Sequence, residues 1–157
     1  MRIEEKIHDA FIKSGKTLAL AESCTGGAAA AALTRIAGAS QFFLGSLVVY
    51  SNAWKEAFLG VSAKTLESKG AVSANTVEEM VQGLFARTEC DFAAAISGIA
   101  GPSGGSQEKP VGTVFIAVAK RGEPIFIQRI QAPLEREAVI ASAIQTTFEA
   151  LLERVTS

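Results

Sequence analysis

The chain has 157 residues, 48% hydrophobic and 20% charged, with a formal net charge of -1. That balance suits one folded domain with an ordinary core and excludes a disordered or fibrous chain. No basic run occurs, so electrostatics give nucleic acid no role as the main partner.

The first helix is expected over about 2–14, where Ile3, Ile7 and Phe11 form an apolar stripe. His8, the sole histidine, lies beside that stripe among Glu4, Glu5 and Asp9, a surface or boundary position rather than that of a catalytic base. This N-terminal segment mixes acids and bases and has no apolar centre, so no signal peptide is expected. No later stretch approaches the roughly 20 apolar residues needed to span a bilayer.

A strand is expected over about 17–22 (TLALAE), then a helix over about 26–36 rich in alanine. LGSLVVYS, about 44–51, reads as a buried strand, and NAWKEAFLG as a short helix stopped by Gly60. Ser62 looks like the N-cap of a short helix ending at Gly70, and Ser73 the cap of a longer one over about 74–88. DFAAAIS, about 91–97, is a third buried strand, followed by a Gly/Pro/Ser loop over 98–110. VGTVFIAVAK and PIFIQRIQ form an antiparallel hairpin around Arg121-Gly122-Glu123. From Leu134 onward one helical face runs to the end of the chain. There is no repeat or linker, so residues 1–157 read as a single domain. The expected fold is α/β: a three-layer α/β/α sandwich with a mixed, mostly parallel sheet and a C-terminal antiparallel hairpin plus helix.

Cys24 and Cys90 stand alone, with no CxxC pair and no neighbouring histidine. That pattern fits a reducing cytoplasm and gives neither a zinc site nor a disulfide framework.

Parallel strands share a C-terminal edge, and ligands of open α/β sheets bind outside it. Three strand ends should meet there: Glu22-Ser23-Cys24-Thr25-Gly26-Gly27, Tyr50-Ser51-Asn52-Ala53-Trp54-Lys55 and Ser97-Gly98-Ile99-Ala100-Gly101-Pro102. A serine is a weak nucleophile until a base takes its proton. With His8 set aside, Lys55 is the only lysine close to a strand end in this group. To serve as that base it must be neutral near pH 7, far below the usual value of about 10.4. Burial against Trp54 and the apolar strand ends would supply the desolvation. The turn after Ser23 offers main-chain N–H groups at a helix start, suited to an oxyanion or a phosphate, and Gly26 and Gly27 would admit a close approach. The same residues have a plain structural reading. Ser23 or Thr25 would cap the helix, Lys55 would be solvated, Tyr50 would pack at a strand end, and Cys24 would be a small buried thiol.

AESCTGG at 21–27, YSN with a lysine at 50–55, GAVS at 70–73, SGIAGP at 97–102 and EKPVGT at 108–113 resemble the CinA C-terminal domain family. The likeness runs from about residue 5 to 153. Stand-alone members of that family are nicotinamide-nucleotide amidases. The resemblance therefore implies hydrolysis of the nicotinamide mononucleotide carboxamide to nicotinate mononucleotide and ammonia, at a Ser-Lys site in an oligomeric α/β/α protein. It makes Ser23 the nucleophile, Lys55 its base and Tyr50 a hydrogen-bonding support, with Ser97 beside them and Arg136 on the substrate. Thr25, Gly26, Gly27, Asn52, Gly98, Gly101 and Lys109 complete the expected substrate contacts; Lys109, Arg136 and the glycine turns are the candidates for the phosphate. No cofactor or metal is implied, and the expected partners are a small nucleotide and further copies of the chain, not a membrane. The family commonly has Gly-Asp-Arg where this chain has Leu134-Glu135-Arg136, and smaller or acidic residues in place of Ala53-Trp54. The competing readings are a nucleotide sensor without turnover and a non-enzymatic partner protein tied to competence or DNA damage.

Overall fold

A computed structural model describes residues 1–157. The elements follow in the order α1 (Ile3–Ser14), β1 (Leu18–Glu22), α2 (Ala28–Thr34), β2 (Phe43–Val48), α3 (Asn52–Leu59), α4 (Ala63–Lys69), α5 (Ala74–Arg87), β3 (Phe92–Gly98), β4 (Thr113–Lys120), β5 (Phe126–Gln131) and α6 (Arg136–Val155). A single 3-10 turn, Ala39–Gln41, precedes β2 and is absent from the sequence-based assignment. The predicted caps Ser62 and Ser73 are present, and Ser51 caps α3 in the same way. Ser51, Ser62 and Ser73 accept main-chain N–H bonds from Trp54, Thr65 and Thr76, and so open α3, α4 and α5. Gly60 ends α3 in the left-handed region at φ 69°.

The sheet order is β2-β1-β3-β4-β5. β1 pairs in parallel with β2 and β3, while β4 is antiparallel to both β3 and β5. β4 alone is therefore reversed, and four strand C-termini point to one edge. Helices cover both faces, giving the expected three layers. No helix is long and apolar enough to cross a membrane.

The apolar strands look featureless in sequence, yet their alternation sorts side chains by size. Leu18, Leu20, Phe92, Ile96, Val114, Ile116 and Val118 face α1, α2 and α6. On that side Phe11 stacks on Phe42 and meets Phe92 edge-on. Ala19, Ala21, Ala93, Ala95, Ala117 and Ala119 face α5 and its neighbours. Small side chains bring α5 close to the sheet, and Gly83 lets α3 cross α5 tightly: a Cβ there would lie 2.1 Å from the Leu59 carbonyl oxygen.

One expectation fails. β2 is not a buried strand but the sheet edge, with Leu44 and Leu47 exposed. Its apolar composition matches that of an interior strand, and only the strand order separates the two cases.

Candidate active site

At the C-terminal edge of the sheet lies a cavity of about 330 Å³, within the range of small-molecule sites. Its floor is the β1–α2 turn with Ser23 and Cys24, and Tyr50, Asn52 and Lys55 come from the start of α3. Ala71 and Val72, between α4 and α5, form one wall. Ser97, Gly98 and the loop to Gly105 form another, and Arg136 at the first turn of α6 stands at the rim.

Lys55 is the most unusual group here. It lies on the inner face of α3, one turn before the buried Leu59, and is 1% exposed. Its Nζ is 3.1 Å from Ser23 Oγ and 3.0 Å from the Tyr50 carbonyl oxygen. No carboxylate pairs with it; every ion pair lies elsewhere. Burial pushes its pKa below the ordinary 10.5 and outweighs the opposite influence of Cys24. Nζ donates to both oxygens, and a neutral amine keeps a lone pair beside Ser23 Oγ that can take its proton. Trp54, expected to desolvate the lysine, instead faces outward against Phe58. The lysine is buried by its place beneath α3.

Tyr50 supports the pair through its main chain. Its carbonyl accepts from Lys55 Nζ and, at 3.5 Å, from Ser23 Oγ, whereas its hydroxyl accepts from Arg136 Nη2 at 3.3 Å. Arg136 also donates through Nη1 to the Gly101 carbonyl at 2.8 Å, so one guanidinium joins two walls of the cavity. Cys24 lines the floor beside Ser23, and burial pushes its thiol up to about 11. Gly98 is compelled to be glycine: a Cβ there would lie 2.7 Å from Val114 and 3.2 Å from Cys24 Sγ. Ser97 reaches the cavity, but its hydroxyl donates to the Ala71 carbonyl at 2.8 Å and so ties the 70–73 segment to β3. Asn52 and Gly101 also line the space.

Four expected substrate contacts lie elsewhere. Thr25 is buried and donates its hydroxyl to Glu22 Oε1 at 2.6 Å. Gly26 N–H is taken by the Ser23 carbonyl and Gly27 N–H by Glu22, and neither glycine lines the cavity. Lys109 donates to the Lys69 carbonyl at 2.6 Å, so its ammonium sits on the C-terminus of α4. His8 packs against Phe42 and bonds the Ala37 carbonyl, away from the cavity.

The residue that sequence reasoning left without a role is Glu22. Its carboxylate is fully buried and accepts from Thr25 Oγ1, Ser46 Oγ and the N–H groups of Gly27, Ala29 and Ala30. It closes the start of α2, whose N-cap Gly27 has no side chain to do so. The helix start is thus occupied from within and is not the open anion site expected. The available signal was a carboxylate at a strand end a few residues before a helix without a capping residue.

Known proteins are similar to this chain in sequence and in shape. A CinA-like protein from Synechococcus is 52% identical over 128 residues, covering 81% of this chain and 30% of that protein. One from Shewanella is 45% identical over 152 residues, covering 97% and 36%. The chain thus spans about a third of the length of the curated relatives it matches. Among solved structures, a competence/damage inducible protein from Agrobacterium tumefaciens aligns with TM-score 0.93 and 38% identity, covering 99% of this chain and 96% of that one. A competence-damaged protein (CinA) superfamily member from Klebsiella pneumoniae aligns with TM-score 0.93 and 39% identity, covering 99% of both chains. The CinA C-terminal domain model matches residues 1–155, and the chain belongs to that family.

Proposed function

We propose that this domain hydrolyses the carboxamide of nicotinamide mononucleotide, releasing ammonia and nicotinate mononucleotide through a Ser-Lys pair. The observation that carries the reading is a buried lysine, without a carboxylate partner, within hydrogen-bond distance of a serine at the floor of a cavity. In this mechanism Lys55 takes the Ser23 proton as Oγ attacks the carboxamide carbon. The same amine then returns the proton to the departing ammonia, leaving an acyl-serine. Water, deprotonated by Lys55, attacks that ester; the proton passes to Ser23 Oγ as the C–O bond breaks.

The oxyanion needs main-chain donors. In the β1–α2 turn the N–H groups of Ser23, Gly26, Gly27 and Ala28 are already committed, which leaves that of Cys24 as the donor on the cavity floor. Arg136, held by two neutral acceptors, is the cation for the substrate phosphate. The homo-oligomer implied by the resemblance belongs to this proposal as well. Exposed Leu44, Leu47, Trp54 and Phe58 support it, and sedimentation velocity tests it.

The test is ammonia release from nicotinamide mononucleotide by the parent chain and by folded S23A and K55A variants. Each variant is expected to lose at least a hundredfold in kcat. Turnover near that of the parent in either rejects the assignment, and tight nucleotide binding without ammonia makes the domain a sensor.

A further inference from the structure

We propose that Glu22 is the positioning residue of the nucleophile turn: its buried carboxylate holds Ser23 against Lys55 and uses up the start of α2, leaving Cys24 N–H as the turn's free donor at the cavity. The inference rests on the reading of Ser23 as the nucleophile. Glu22 precedes Ser23 directly and forms the last rung of β1, opposite Val48 on β2 and Ile96 on β3. Its main-chain carbonyl accepts the Val49 N–H at 2.8 Å, and its Oε2 accepts the Ser46 hydroxyl at 2.7 Å. One residue therefore grips β2 twice, just before Tyr50, whose carbonyl holds both Lys55 and Ser23.

The other half of the carboxylate grips the turn itself. Oε1 accepts from Thr25 Oγ1 at 2.6 Å, Gly27 N at 3.2 Å and Ala29 N at 3.0 Å, while Oε2 also accepts from Ala30 N at 3.2 Å. Five donors of the chain itself converge on two oxygens. A cap serving only the helix would need one or two of these bonds. The Ser46 and Val49 bonds serve α2 in no way; they register β2, which leads into the helix that carries the base, onto the strand that leads to the nucleophile. Such registration matters because a displacement of about 1 Å between reacting groups can lower a rate about a hundredfold.

Glu22→Gln is nearly isosteric and separates the possibilities. Its carbonyl oxygen keeps the three Oε1 bonds, but its amide N–H₂ faces the Ala30 N–H, which loses its acceptor. The first readout is kcat and KM for ammonia release. The second is independent of the natural substrate: the rate at which diisopropyl fluorophosphate labels Ser23, followed by intact mass with S23A as the blank. In that step the Oγ–P bond forms, fluoride leaves and Lys55 takes the proton.

E22Q is expected to lower kcat and the labelling rate tenfold or more with KM within twofold of the parent. S46A is expected to lower both rates by less, and E22Q/S46A to be no slower than E22Q alone, because Ser46 acts through Glu22. Thr147→Val, which removes a buried hydroxyl bond within α6 remote from the cavity, controls for lost stability and should leave both rates unchanged. Parent-like labelling and kcat in folded E22Q overturn the inference, as does a T147V chain that loses rate in step with its melting temperature. A parent chain that is labelled at Ser23 but releases no ammonia rejects the amidase reading and leaves the Glu22 inference to be decided by labelling. A parent chain that resists labelling removes the activated serine and overturns both.

Discussion

Gly83→Ala tests whether the crossing of α3 and α5 sets the position of the lysine. On an exposed helix this change stabilises by about 1 kcal/mol. Here the new Cβ would lie 2.1 Å from the Leu59 carbonyl oxygen, and 2.9 and 3.0 Å from the Leu59 carbonyl carbon and Cα. A carbon–oxygen contact normally rests at about 3.3 Å or more, so α3 must withdraw by roughly 1.2 Å. The obstacle is backbone, which has no alternative rotamer. The cost therefore falls at the top of the roughly 1–3 kcal/mol range for overpacking, and after the helix gain about 2 kcal/mol of destabilisation remains. For a chain of this length that lowers Tm by about 4–8 °C. Leu59 is one turn from Lys55 on the same helix face, so the same retreat carries Nζ away from Ser23 Oγ, now 3.1 Å distant. A fall of about a hundredfold in kcat is expected at temperatures well below the lowered Tm. Calorimetry gives the first quantity and ammonia release the second. A G83A chain with an unchanged or raised Tm refutes the packing argument; full turnover in a destabilised chain refutes the coupling of α5 to the site.

Three further expectations follow from the same geometry. Because burial lowers the Lys55 pKa below 10.5, the unfolded chain binds more protons than the folded one between those two values, and stability climbs with pH across that window. Lys55→Met should remove a slope of up to about 1.4 kcal/mol per pH unit from urea unfolding data there, and should be at least as stable as the parent at pH 7. Cys24, its thiol pushed up to about 11, stays protonated at neutral pH, so C24A should keep its turnover within a few-fold and iodoacetamide at pH 8 should leave the parent active. Arg136→Ala frees the Gly101 carbonyl and the Tyr50 hydroxyl and should raise KM for the nucleotide at least tenfold, with a much smaller effect on the unphosphorylated riboside; equal effects on both would remove the phosphate role.

Most elements were legible because the signals that define them are local. Ser62 and Ser73 sit three residues before the N–H groups they cap, and Gly60 stops α3 by its own conformation. The edge position of β2 depends on a pairing order spanning the whole chain, and its apolar residues do not encode it. The site divides in the same way. A lysine beside a strand end was visible, and so was a serine at a strand-to-helix turn. Which acceptors surround them was not. The Tyr50 contribution is a carbonyl, an atom common to every residue type. Thr25, Gly26 and Gly27 have the composition of an anion-binding turn, but a buried carboxylate from the preceding strand takes up the helix start before any ligand could. Lys109 was a phosphate candidate for its positive charge, yet its ammonium is taken by the carbonyl at the end of α4.

The size sorting across the sheet makes the two layers unequal in how freely they can drift. Between the sheet and α5, Ala19, Ala21, Ala93, Ala95, Ala117 and Ala119 present methyl groups, with bulkier Phe115 and Ile127 only on β4 and β5, so a change as small as alanine to valine at those six positions wedges the helix outward. On the opposite side leucine, isoleucine, valine and phenylalanine interlock, and exchanges that conserve volume can be absorbed by neighbours of similar bulk. Random substitution should therefore spare activity far more often when it strikes the α1–α6 side. The inflexible layer is the one to which α3 is joined.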